Sequence, residues 1–168
     1  MSQAPLLADV PSTSPRAGAS TRLPQADSVA AFGLRTSRHF AQCRRESGQL
    51  ALVWVEVQAQ ARADGELASA EHDALIQTVS LRLRNRVRGS DEVVYMAGNS
   101  FAVLLLAAGP AEARLVEHRL LQALRGAYCV DSRLIQLGVQ LGTAVFPQAG
   151  RNGAELAEAA RANLAMRG

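Results

Sequence analysis

The run Leu50-Ala51-Leu52-Val53-Trp54-Val55-Glu56-Val57 is β-branched and almost wholly apolar. A strand with one wet face alternates apolar and polar residues. This run does not, and so predicts a central strand covered on both faces, with helices as the natural cover. The flanking segments supply them. Helical propensity rises between Ser28 and Ser47, and Gly48 stands where a C-terminal cap ends a helix. Leu75, Val79, Leu83 and Val87 recur every four residues, which predicts one buried face of a helix from about Ser69 to Val87. Glu92 to Met96, a turn at Ala97-Gly98-Asn99, and Ser100 to Leu106 read as a hairpin, because Gly and Asn tolerate positive φ. Ala111 to Arg125 reads as a helix with Val116, Leu120 and Leu124 inward. Strands follow at Ala127 to Val130 and Leu134 to Val145, joined at Asp131-Ser132, and Pro147 stops the second. A last helix from about Ala154 to Met166 carries Leu156, Ala160 and Leu164 on one stripe. The order helix, strand, helix, hairpin, helix, hairpin, helix predicts an α+β fold with an antiparallel-rich sheet flanked by helices.

The 168 residues, 48% of them hydrophobic, suit one domain plus a tail. Residues 1–27 are rich in Pro, Ser and Ala, with Pro5, Pro11, Pro15 and Pro24 breaking every candidate helix. They read as a disordered tail, or as a short partner-binding segment around Leu6 and Leu7, ahead of a domain at 28–168. The net charge of +3 comes from arginine alone, since there is no lysine. That bias is too small and dispersed for nucleic acid, and no aromatic-basic strand motif supports an RNA binder. Arginine's planar fork does suit phosphate and guanine edges, although a coding bias toward arginine accounts for the same usage. Cys43 and Cys129 lie far apart with no CxxC pair, so neither a zinc site nor a disulfide framework is expected. No run approaches the roughly 20 apolar residues of a transmembrane helix. No signal peptide is visible. A cytoplasmic protein is expected.

Tyr95-Met96-Ala97-Gly98-Asn99-Ser100-Phe101-Ala102-Val103-Leu104-Leu105 resembles the signature hairpin of GGDEF (diguanylate cyclase) domains, usually Arg-Tyr-Gly-Gly-Asp/Glu-Glu-Phe followed by Ala-Val-Leu-Leu. The flanks hold the same register. His72-Asp73 falls where the family has Gly-Asp before its long helix, and Arg88-Gly89-Ser90-Asp91 where it has Arg-x-x-Asp. Gly33, Leu34, Arg38 and Phe40 match its Gly-Leu-Pro-Asn-Arg-Arg-x-Phe stretch. Leu141-Gly142-Thr143-Ala144-Val145-Phe146-Pro147 is similar to its Ser-Ile-Gly-Val-Ala-x-Tyr-Pro strand, and Ala159 to Leu164 lies where it has Ala-Asp-x-Ala-Leu-Tyr. The resemblance spans Ser28 to the C-terminus and implies the family's palm-type, nucleotidyl-cyclase-like architecture.

It also implies where a catalytic apparatus would sit. Joining two GTP molecules requires divalent metal on hard carboxylate oxygens. The family's two metal carboxylates correspond to Glu56, one methylene longer than Asp, and Ser100, a hydroxyl. The first acidic signature position is Asn99, and the first signature glycine is Ala97, leaving Gly98. The phosphate-contacting Lys matches Ala61, a family Asp matches Gln58, and the guanine-recognising Asn matches Asp64, which can accept but not donate. Asp73 keeps the other base-contacting carboxylate. These are read as vestigial positions: no catalytic residue, no metal, no cofactor and no cyclase activity are expected.

Arg88 and Asp91 match the family's inhibitory site for cyclic di-GMP, where the Arg forks onto guanine and phosphate and the Asp accepts from guanine. Arg119 matches its second arginine, with Arg114 a weaker candidate. The resemblance therefore implies a cyclic di-GMP receptor in bacterial signalling that passes its state to a protein partner. The residues alone leave a plainer role open, with Arg88 at the negative end of a helix dipole and Asp91 opening a turn. The alternative function is a ligand-independent interaction module, dimerising or docking, derived from the same fold.

Overall fold

The computed structural model describes residues 22–60, 67–130 and 132–166. Leu50–Ala59 (β1) lies at the centre of the sheet, with Ser100–Leu106 (β3) on one side and Arg133–Phe146 (β5) on the other, both antiparallel. Glu92–Ala97 (β2) forms one edge beside β3, and Gly126–Val130 (β4) the other beside β5. Every named pair is antiparallel.

Four helices cover the two faces: Val29–Glu46 (α1), Ser69–Arg84 (α2), Pro110–Leu124 (α3) and Gly153–Ala162 (α4). The apolar run divides between them by the two-residue period of a strand. Ala51, Val53, Val55 and Val57 enter one core with Leu75, Val79 and Leu83 of α2 and Leu120 and Leu124 of α3. Leu50, Leu52 and Trp54 enter the other with Phe32 and Phe40 of α1 and Leu156 and Ala160 of α4. Glu56 continues this second set, half-buried at the strand's far end.

Helix limits follow local chemistry. The Ser28 hydroxyl accepts from the Ala31 N–H at the start of α1, and Ser47 in the left-handed region ends it. The predicted helix to Val87 stops at Arg84, because the Arg84 guanidinium donates to the carbonyls of Asp91 and Arg88 and pulls the chain into a turn. The last helix also differs from expectation. It ends at Ala162, and Ala165–Met166 (β6) pairs with Gln140 and Leu141. The Asn163 amide donates to the Thr143 carbonyl at 3.0 Å and carries the chain onto β5. Gly142 makes the approach feasible, since a Cβ there would overlap the Ala160 carbonyl oxygen.

Residues 24–26, assigned to the tail by composition, are hydrogen-bonded to the sheet edge. Tyr95 donates to the Pro24 carbonyl at 2.9 Å, and Ala26 donates to the Tyr95 carbonyl at 3.0 Å. Residues 1–21 lie outside the described residues.

Candidate functional site

The two sets of residues singled out by the resemblance sit at opposite ends of the β2–β3 hairpin. At roughly 3.3 Å per residue, a hairpin of this length separates them by about 20 Å.

At the turn end, Glu56 of β1 lies directly opposite Ser100 of β3. The Ser100 hydroxyl is 3.4 Å from Glu56 Oε2, and the Trp54 indole donates to the same oxygen at 3.1 Å. Gly98 has φ of 54°, a left-handed conformation that glycine adopts at low cost. Asn99 follows it, and its side-chain oxygen is 2.7 Å from His72 Nε2, so the turn is tied to the first turn of α2. The Asn99 carbonyl also accepts from the Val57 N–H at 3.0 Å. Asp73, next to His72, is 84% exposed and stands on the rim of a groove rather than against Glu56. Gln58 is exposed, while Ala61 and Asp64 lie outside the described residues. The fold thus brings Glu56, Gly98, Asn99 and Ser100 together, with Asp73 at the margin.

Of the described residues, Glu56 is the carboxylate that faces the turn, with Asp73 at the margin, and Glu56 already accepts from Trp54. Among the described residues no group of three or more His, Cys, Asp or Glu side chains could hold a metal ion. The donors gathered here, among the described residues, are fewer than the paired carboxylates that a divalent cation prefers.

At the open end, Asp91 closes the hairpin. Its carboxylate is only 3% exposed; Oδ1 accepts from the Leu106 N–H at 3.0 Å and Oδ2 from the Arg88 N–H at 3.0 Å. The Arg88 guanidinium lies 3.5 Å from Oδ2 and donates to the Leu106 carbonyl, yet its side chain stays 55% exposed. Arg119 of α3 is exposed and reaches the Arg86 carbonyl at 3.4 Å. Arg88 and Arg119 therefore flank the same turn. Arg114 is exposed five residues earlier on α3.

Three participants were not singled out from the sequence: His72 as the partner of Asn99, Trp54 as a donor to Glu56, and Arg84 as the clamp on the Arg88 turn. The available signal was paired replacement. His72 and Asn99 both stand where the family has other residues, and the two replacements bond to each other.

An antiparallel sheet with β1 at its centre and helices on both faces, carrying this hairpin, defines a palm-type α+β domain of the nucleotidyl-cyclase kind. The family described as "Diguanylate cyclase, GGDEF domain" matches residues 25–167. The chain belongs to the GGDEF family. It is 29% identical over 119 residues to the cyclic di-GMP phosphodiesterase NbdA of Pseudomonas aeruginosa, covering 71% of this chain and 15% of that protein. It is 26% identical over 119 residues to the diguanylate cyclase TpbB of the same organism, covering 70% of this chain and 27% of TpbB. The chain thus spans about a quarter or less of these curated relatives. A crystal structure of the TpbB GGDEF domain superposes with a TM-score of 0.72 at 27% identity, covering 84% of this chain and 88% of that one. No helix among the described residues is long and apolar enough to cross a membrane.

Proposed function

We propose that this is a non-catalytic GGDEF domain that binds cyclic di-GMP through Arg88, Asp91 and Arg119 and passes that state to a protein partner. The observation that carries the reading is the prefolded Arg88 turn. Asp91 locks it from inside, which holds the Arg88 guanidinium half-exposed, and Arg119 reaches the Arg86 carbonyl of the same turn. Two guanidinium forks fixed on one surface match a ligand with two phosphates and two guanines, because each can donate in parallel pairs to phosphate or to the guanine Hoogsteen edge.

In this reading Asp91 is a positioning residue, since both of its oxygens already serve backbone donors. Arg88 and Arg119 make the contacts. The absence of turnover is supported by residue identity: Glu56 faces a serine hydroxyl where two carboxylates are needed, and Asn99 leaves the turn uncharged.

Titration calorimetry of cyclic di-GMP into wild type and Arg88→Ala tests the proposal. Binding at micromolar concentration or tighter is expected for wild type. At least about a tenfold loss is expected for Arg88→Ala, equivalent to about 1.4 kcal/mol. Absence of heat with wild-type protein at high ligand concentration would leave the ligand-independent interaction module as the better reading. A second assay, GTP with magnesium, is expected to yield no cyclic di-GMP.

A further inference from the structure

Tyr95 stands where the family's signature usually has arginine, and it is bonded at both its backbone and its side chain. Its N–H donates to the Pro24 carbonyl and its carbonyl accepts from Ala26, which fixes residues 24–26 beside β2 with Gln25 bridged in parallel. Its phenol donates to the Gly98 carbonyl at 2.7 Å, inside the signature turn. Its ring packs on Phe101 with centroids 5.4 Å apart. The docked segment has two apolar anchors on opposite faces of the sheet. Leu23 packs on the core that contains Ile76 and Val93, and Ala26 is buried in the core that contains Met96 and Phe32. Between the segment and α2 runs a groove of about 260 Å³, rimmed by Arg22, Gln25, Asp73 and Gln77 with Tyr95 in its wall.

We propose that Tyr95 is the joint of an internal relay, in which residues 22–26 form a displaceable strap and release of that strap loosens the signature turn. The strap is lightly held. Two backbone hydrogen bonds, partly buried Leu23 and buried Ala26 hold it, whereas β1 is paired on both sides from Leu50 to Glu56, and regions with few buried contacts open at low free energy. The turn at the relay's other end is tethered by the Tyr95 phenol, the His72 bond to Asn99, the Asn99 carbonyl bond to Val57 and, at its last residue, the Ser100 hydroxyl beside Glu56. When the strap leaves, the Tyr95 backbone loses both outer partners, and the phenol that aims at Gly98 loses its fixed base. Burial first, and then the negative charge of Asp73, push the Tyr95 phenol above its ordinary value. The groove under the strap opens in the same step, which gives a force or ligand acting on residues 22–25 a route to the hairpin tip.

Hydrogen exchange on the full chain tests the relay, using wild type, Leu23→Asp, Tyr95→Phe and the double variant. Leu23→Asp is expected to speed exchange about tenfold or more at the Ala26 and Tyr95 amides, and several-fold at the 97–100 amides, with β1 and β5 unchanged. Tyr95→Phe is expected to speed exchange at 97–100 while leaving Ala26 protected. In the double variant the turn is expected to exchange no faster than in Tyr95→Phe alone, because the strap then has nothing to act through. Two results would overturn the relay: a turn unaffected by Leu23→Asp, or additive effects of the two substitutions on the turn. If Leu23→Asp does not fold, Leu23→Ala reads the same quantities with a smaller loss of anchoring.

Discussion

Asp91 is a buried carboxylate, 3% exposed, that braces the open end of the hairpin from inside. Its two oxygens satisfy two backbone N–H groups, at Arg88 and at Leu106, which join the start of β2 to the end of β3. Asp91→Ala leaves two part-buried donors without their partner, at a cost of up to about 1–3 kcal/mol for each. Chemical denaturation is therefore expected to show a loss of about 3 kcal/mol, and a midpoint equal to wild type would show that the carboxylate is not the brace. Tyr128 supplies a pH signature. Its hydroxyl donates to the Leu124 carbonyl at 2.7 Å, and burial raises its phenol above 10.0, against a smaller lowering by Arg82. The unfolded chain loses this proton first. The contribution is thus complete below pH about 10 and is lost as pH rises through the folded value. Stability is expected to decline steeply with alkali in wild type and less steeply in Tyr128→Phe, as thermal melts across that range would record.

Among the elements, β1 was the most legible, because an uninterrupted apolar run leaves a strand no wet face. Leu52 lies fully buried beneath α1 and α4. Leu52→Ala is expected to cost about 2–5 kcal/mol in equilibrium unfolding, and a loss under about 1 kcal/mol would contradict two-sided burial. The hairpin was legible for a similar reason, since Gly98 at positive φ is local chemistry. The end of α4 was not. Leu156, Ala160 and Leu164 continue the helical period past Ala162, but the Asn163 amide and the contact at Gly142 redirect the chain into β6. Residues 24–26 were hidden differently, because a Pro-rich stretch held by two backbone hydrogen bonds leaves no mark in side-chain pattern. The bond between His72 and Asn99 joins positions 27 residues apart, and only the fold brings them together.

At the scale of the whole molecule, the hairpin has two ends with different chemistry. At the turn end the polar side chains bond to one another: Trp54 and Ser100 to Glu56, and His72 to Asn99. The open end keeps the arginine turn and leaves Arg88 and Arg119 facing solvent. Function is expected to have moved from one end to the other, with ligand taken up where arginine remains and nothing turned over where carboxylates are missing. The most direct test is the amide chemical-shift map of the protein titrated with cyclic di-GMP. The account predicts saturable shifts centred on Arg88, Gly89, Ser90 and Arg119. Shifts centred instead on Gly98 to Ser100, or no shifts at saturating ligand, would contradict it.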